Sequence, residues 1–271
     1  MKTGVLMNIY NEIEWIDLAI QAVKDEFDEI VIVEGAYQIA IQSGANPRSN
    51  DGTLEVLNKY RDQKNITIIH ANEQDHCFQN NKALEVLKAK GVEWVLLVDG
   101  DEIWEKNNLK IIKNYMVSGE AKGIYQYWVY FYNFVNDFDQ FIEARMRRVY
   151  KITPGCSFLN GNENLQWPDH GKSVDTGQPV SYVSEIPQFC RGFHYTEIKT
   201  KNRWLLKKNY LQKRDNNPRF KSWHVTEDGV QHDEMHMIKP FTKKHPKSVQ
   251  EHELYKLWGQ DRAAFKKKLF G

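Results

Sequence analysis

"EWVLLVDGDEIW", residues 93–104, ends an apolar run, Trp94 to Val98, on three carboxylates: Asp99, Asp101 and Glu102, spaced around Gly100. The run has the length and branching of a buried strand. A strand that stops on "DGDE" either turns into solvent or delivers carboxylates to a site. The units before it favour the second outcome. "GVLMNI" (4–9), "EIVIVEG" (29–35) and "ITIIHA" (66–71) read as strands. "EIEWIDLAIQAVKD" (12–25), "DGTLEVLNKYRDQ" (51–63) and "QNNKALEVLKAKG" (79–91) read as helices, the second capped by Ser49, Asn50 or Asp51 and the third closed by Gly91. This β-α alternation predicts an α/β fold, a mostly parallel sheet with helices on both faces. Ligands of such sheets bind at the carboxyl ends of the strands. The four strands are followed by "YNE", "EGAY", "NEQDH" and "DGDE", all polar.

Beyond residue 104 the pattern changes. "GIYQYWVYFYNFV" (123–135) and "ARMRRVYKI" (144–152) read as strands, 155–173 as a loop, and "NRWLLKKNYLQKR" and 248–269 as helices. Of 271 residues, 41% are hydrophobic and 13% aromatic, which suits a sizeable core. The net charge of +1 hides a split. Residues 1–198 hold 19 Lys+Arg and 28 Asp+Glu, net −9; residues 199–271 hold 18 and 8, net +10. A basic C-terminal part points to an anionic partner, or to a solvated helical surface. Three scattered cysteines fit reduced thiols better than a disulfide framework. No apolar run reaches the roughly 18 residues of a membrane span, and the first stretch meets Glu12 too soon for a signal peptide. A cytoplasmic protein is expected, with peripheral attachment at a membrane surface left open.

The ordered set "YNEIEW", "DEIVIVEG", "SNDGT", "LLVDGDE", followed by "GFHYTEIKTKNRWLLKKNYLQKR", resembles family 2 glycosyltransferases of the GT-A fold. The resemblance is fullest over residues 3–105 and weaker from about 144 to 214. It implies a GT-A domain at 1–198, with a nucleotide-sugar-binding half (1–105) and an acceptor half (106–198). A basic, mainly helical extension at 199–271 would pack on it. One departure stands out: "GAYQIAIQSGANPR" (35–48) separates Glu34 from "SNDGT", where the family runs almost directly into "DGT". It sits where the base or ribose of a donor would lie and is expected to form a flap over the nucleotide.

The same resemblance implies transfer of a sugar from a nucleoside-diphosphate sugar, a UDP-sugar first, to an acceptor hydroxyl. Mn²⁺ or Mg²⁺ would neutralise the leaving diphosphate. Asp99 and Asp101 are the expected metal ligands, with Glu102 behind them and His194 or His236 completing the shell. Ile9, Tyr10, Glu12 and Glu34 would meet the base or ribose; Asp75, Gln79, Lys82, Asp99 and Lys239 would meet ribose or diphosphate. Asp75 reads nearly as well as a helix cap, Glu12 as a first-turn acid and Tyr10 as a core aromatic. An inverting transfer needs a general base, for which Asp169 in "WPDHG" and Glu163 in "NGNENL" are the candidates.

The expected acceptor is a surface glycan or polysaccharide, lipid-linked or otherwise anionic; a protein or a nucleic acid with modified bases stays open but is less favoured. Other readings fare worse. A haloacid-dehalogenase-like phosphotransferase also ends a strand in D-x-D but needs a later acidic pair that is missing. A nucleotidyltransferase needs a Gly-rich basic N-terminal loop. "HDEMH" (232–236) resembles a zinc-protease helix but places Asp233 at the general-base position. A non-catalytic nucleotide-sugar-binding partner would have no need of an intact Asp99/Asp101 pair.

Overall fold

The computed structural model describes residues 1–73, 75–118, 123–130, 138, 140–158, 165–166, 183–185, 190–196, 198–215, 224–226, 229–231 and 239–270. The first half runs β1 (Thr3–Ile9), α1 (Ile16–Val23), β2 (Glu29–Glu34), α2 (Gln38–Ile41), α3 (Thr53–Asn58), β3 (Ile66–His70), α4 (His76–Ala89) and β4 (Trp94–Asp99). Then come β5 (Glu102–Ile103), α5 (Lys106–Ser118), β6 (Gly123–Tyr130), β7 (Gln140–Lys151), β8 (Ser157–Phe158), β9 (Leu165–Gln166), β10 (Val183–Glu185) and β11 (Arg191–His194). The remainder holds α6 (Lys201–Asp215), β12 (His224–Thr226), β13 (Gly229–Gln231), β14 (Lys239–Pro240), α7 (Lys247–Glu251), α8 (Glu253–Gln260) and α9 (Arg262–Phe270).

The main sheet has the order β3-β2-β1-β4-β7-β6-β11-β5, with β10 beside β6 and β14 beside β7. β3, β2, β1 and β4 are mutually parallel. β7 turns antiparallel against β4 and β6, and β11 returns parallel to β6. Period-2 alternation splits the central strands between two apolar layers. Val5, Met7, Ile9, Ile30, Ile32 and Leu96 pack with residues of α1, α3, α5, α8 and α9 on one face. Leu6, Val31, Val33, Val95 and Leu97 pack with Ala83, Leu84 and Leu87 of α4 on the other. Complete burial of each such side chain is worth about 1.5–3 kcal/mol. The expected mixed, mostly parallel sheet with helices on both faces is what forms.

Two differences from the sequence reading lie in the C-terminal part. The expected C-terminal extension also contributes a strand, β14, which pairs antiparallel with the start of β7, Lys239 with Phe141 and Pro240 with Gln140. The single helix expected at 248–269 is three, broken at His252 and Asp261, both extended. His252 caps the Leu254 N–H and Asp261 the Ala264 N–H, so each break carries its own cap. All three cysteines are free and buried. Among the described residues no helix is long and apolar enough to cross a membrane.

Candidate active site

The strand-end motifs hold one another. Asn11 takes a positive φ of 53° just after β1. Its N–H donates to Ser49 Oγ (2.9 Å), and its Oδ1 accepts from Asn50 N–H (2.9 Å). Glu12 N–H donates to Thr53 Oγ1 (2.8 Å) and Ile13 N–H to Asp51 Oδ2 (3.1 Å), while Asp51 Oδ1 accepts from Thr53 N–H (3.0 Å). "YNE" and "SNDGT" are therefore a mutual brace. The residue before α3 is Gly52, at φ 106°, so Asp51 caps from one place further out. Gly100 is tight for a different reason: a Cβ there would lie 2.7 Å from Glu12 Cγ and 2.9 Å from Ile9 Cδ1.

A cleft of about 350 Å³ opens at the carboxyl ends of β1, β2 and β4. Ile9, Tyr10, Glu12, Gln79, Asp99, Asp101 and His194 all line it. β11 delivers His194 by pairing antiparallel with β5, in the register His194↔Glu102. Its Nε2 lies 2.7 Å from Asp101 Oδ1 and 3.8 Å from Asp99 Oδ2. Tyr195 N–H donates to the Asp101 carbonyl (2.9 Å), and Trp15 Nε1–H to the Ile198 carbonyl (2.9 Å). These contacts lock the segment carrying Lys199 against the D-x-D turn. Lys199 Nζ sits 2.5 Å from Asp101 Oδ2 and 3.2 Å from Glu12 Oε1. Arg203 lies 2.5 Å from Glu12 Oε2 and also pairs with Glu14; Arg148 pairs with Asp99 and lies 3.7 Å from Glu102.

The electrostatics follow. Burial works against an ionised Asp101, but Lys199 and His194 prevail and hold its carboxyl well below the usual range. Asp99 is likewise lowered, burial being overcome by Arg148 and His194. Burial wins at Glu102, raised to about 7 against the pull of Arg148, and it also raises Glu12 despite Arg203 and Lys199. At His194 burial pushes down, yet Asp101, Asp99 and Glu102 push up harder, so the imidazole is raised.

Other expected residues are placed elsewhere. Glu34 is fully buried and is not among the cleft-lining residues. Its Oε1 accepts from Ser49 N–H (2.8 Å), and its Oε2 meets His70 Nδ1 (2.9 Å) and Arg48 (3.4 Å). The carboxylate is used up pinning the end of the 35–48 insertion. Asp75 caps α4, accepting from Cys77 N–H (2.8 Å) and Phe78 N–H (3.4 Å), and is not a lining residue. Lys82, half exposed, pairs with Glu73 at 2.8 Å outside the lining. Lys239 is placed by its backbone in β14. Glu163, Asp169 and His236 lie outside the described residues, as do His232 and Asp233. Sequence reasoning singled out none of Arg148, Lys199, Arg203 and Lys207 as site residues. The last three are spaced four apart and all face the cleft, a periodicity that could have been noticed.

The carboxylate oxygens of Asp99 and Asp101 are the donor type that a hard divalent cation takes. Among the described residues no group of three or more His, Cys, Asp or Glu side chains is placed to hold a metal ion. A closed cage is not needed: Mg²⁺-like ions bound with phosphates take one or two carboxylates, the substrate oxygens supplying the rest. Asp99 and Asp101, here paired with Arg148 and with Lys199 and His194, are the two carboxylates that such a mode would use.

No curated protein sequence matches the chain. Among solved structures, S. aureus TarS 1-349 in complex with UDP-GlcNAc is 26% identical, over 46% of this chain and 33% of that one, with a TM-score of 0.36. Glucosyl-3-phosphoglycerate synthase from Mycobacterium tuberculosis, in complex with Mn²⁺, UDP and phosphoglyceric acid, is 13% identical over 51% and 46%, with a TM-score of 0.35. The chain thus spans about a third of the length of the TarS fragment and under half of the synthase. Residues 45–169 match the family model for glycosyl transferase family 2. That match begins inside the 35–48 insertion, where the N-terminal pattern departs from the family's, and runs through the D-x-D turn. Residues 45–169, a little under half of the chain, are therefore similar to glycosyl transferase family 2, and they run through the D-x-D turn of the mixed, mostly parallel sheet that the strand-end motifs led us to expect.

Proposed function

We propose that the protein transfers a sugar from a nucleoside-diphosphate sugar, a UDP-sugar first, to an acceptor hydroxyl on a glycan or another anionic acceptor. The observation that carries the reading is the meeting of Asp99, Asp101 and His194 with Lys199 and Arg203 in one cleft at the strand ends. Lys199 and Arg203 lie where they would draw a diphosphate to the D-x-D turn, and Arg148 balances Asp99 beside it. Preorganised cations of this kind stabilise the charge that grows on a leaving diphosphate. Held by Asp99 and Asp101, a divalent cation would add Lewis-acid neutralisation of that charge. Gly100 lets the D-x-D turn pack directly against Glu12 and Ile9, which keeps Asp101 close to the end of β1. An inverting transfer would take its base from Asp169 or Glu163.

The test pairs a thermal-shift screen of UDP-, GDP- and dTDP-sugars with Mn²⁺ and a donor-hydrolysis assay, using Asp101→Ala as control. A donor-specific rise in melting temperature and hydrolysis that the variant loses are expected. Absence of both donor binding and hydrolysis in the wild-type protein refutes the reading.

A further inference from the structure

The 35–48 insertion closes one end of the cleft. It leaves β2 through Gly35, at φ 145°, where a Cβ would lie 2.1 Å from the Ala71 carbonyl oxygen. It is then tied down along its length. Ala36 N–H donates to Pro47 O (3.1 Å), Gln38 N–H to Glu73 O (2.7 Å), and Asn72 Nδ2 to both Ala36 O (3.0 Å) and Pro47 O (2.6 Å). Ala36, Ala40 and Ala45 form a small apolar cluster joined by Tyr10, Ile41 and Leu206, so α2 rests on α6. Such a segment is a built wall. Tyr37 and Ala40 of the wall face the cleft together with Tyr10, His76 and Leu206. The Tyr37 and His76 rings meet edge to face, with centroids 6.1 Å apart and planes at 68°.

The cleft is therefore polarised. The insertion stands over β2 and the loop after β3, whereas the carboxylates and their cations stand over β4 and β11. From β2 to β4 is two strand spacings, about 10 Å. A nucleoside diphosphate is polarised in the same sense, with a flat π-system at one end and concentrated negative charge at the other. Glu34, the acid that the family resemblance would offer to the base or ribose, is consumed by Ser49, Arg48 and His70.

We propose that Tyr37, with His76, forms the nucleobase-recognising wall of this protein, in place of the Glu34 carboxylate that the insertion seals away. This rests on the glycosyltransferase reading above. The ring face of one partner stacks on the base while the edge of the other bounds it, and Leu206 ties the wall to the helix bearing Arg203. Stacking tolerates any base, so the wall sets affinity for the nucleoside while discrimination among bases falls to polar groups at its edge.

The test is calorimetric titration of the full chain in Mn²⁺ with UDP, GDP and dTDP, the tightest of the three being carried forward beside inorganic pyrophosphate. Tyr37→Ala is expected to weaken the nucleoside diphosphate roughly ten- to hundredfold. Pyrophosphate affinity should stay within about twofold of wild type, the wall being remote from the phosphates, and Tyr37→Phe should restore the nucleotide. Tyr37→Leu, which keeps apolar bulk without a ring, replaces the alanine variant if that one melts early. Nucleotide affinity unchanged in the ring-less variant overturns the proposal, as does a parallel loss of pyrophosphate. A wild-type protein that binds none of the three nucleotides overturns the underlying reading instead.

Discussion

Asp101→Asn keeps the side chain's shape and removes its charge, which isolates the ion pairing at the centre of the cleft. The residue is 3% exposed and sits between Lys199 at 2.5 Å and His194 at 2.7 Å. Removing one member of a buried pair costs about 3–5 kcal/mol, mostly because the surviving charge stays buried without compensation. Here Lys199 keeps Glu12 at 3.2 Å, which places the expected loss at the low end, about 3 kcal/mol. For a chain of this length that is a fall in melting temperature of roughly 6–9 °C. The assay is thermal and denaturant unfolding at pH 7 in chelator-treated buffer, on Asp101→Asn, Lys199→Met and the double variant. The double variant should recover part of the loss, with a coupling of about 1–3 kcal/mol between the two sites. The pH dependence has a definite sign. Asp101 is held well below its ordinary value, so its contribution is present above about pH 4 and fades as the pH falls through the lowered folded value. The gap between wild type and Asp101→Asn should therefore close in strong acid. A variant within about 0.5 kcal/mol of wild type at pH 7, or strictly additive double-variant energies, would refute the reasoning.

Three further outcomes follow from named contacts. His245 is buried, accepting from Tyr195 O–H (2.9 Å) and donating through Nε2 to the Phe138 carbonyl (2.9 Å), and burial lowers it to about 4. The unfolded chain takes up that proton near pH 6.5 and the folded one does not, so stability should fall by about 3 kcal/mol between pH 6.5 and 4; His245→Gln should flatten that slope in pH-dependent unfolding. Asp75→Ala should cost about 1 kcal/mol of stability through the lost α4 cap and leave nucleotide affinity unchanged in calorimetry; a large drop in affinity would make Asp75 a ligand after all. Thr53→Val should cost about 1–3 kcal/mol by orphaning the Glu12 N–H, and should weaken donor binding as the edge of the cleft loosens, both read by melting in the presence and absence of UDP.

The parallel half of the fold was legible because its strands are short apolar runs with a helical period between them, and both signals are local. Ile9, Tyr10, Glu12, Asp99 and Asp101 reach the cleft because strand order alone carries them to one edge. Glu34 read the same way and behaves differently. What separates it from Glu12 is that Ser49 N–H, Arg48 and His70 fill its hydrogen-bonding capacity, and no strand pattern reports that. Asp75 shows the opposite weakness: a capping acid and a ligand acid look alike in sequence. Lys199 and Arg203 were hidden because their partners, Glu12, Glu14 and Asp101, lie about a hundred residues or more away. In "KTKNRW" they are two cations among many, and only the packing of Trp15 under Ile198 selects them. The breaks at His252 and Asp261 were missed because neither residue is a Gly or Pro, the usual marks of a helix end.

The brace between the start of α6 and the strand ends has a consequence for synthesis. The contacts Lys199–Glu12, Arg203–Glu12 and Arg203–Glu14 span between 187 and 191 residues, so nothing emerging earlier from the ribosome supplies them. Until residue 203 is available, β1 and β4 present Glu12, Glu14 and Asp101 as a crowded group of acids without these counter-charges. A nascent chain at that stage should be loose at its strand ends even with the apolar layers formed, because closing so long a loop is slow. Emergence of α6 would then act as the step that sets the cleft, and ribosome-bound chains long enough to carry α6 beyond the exit tunnel should resist protease around Glu12 better than chains that still hold it inside.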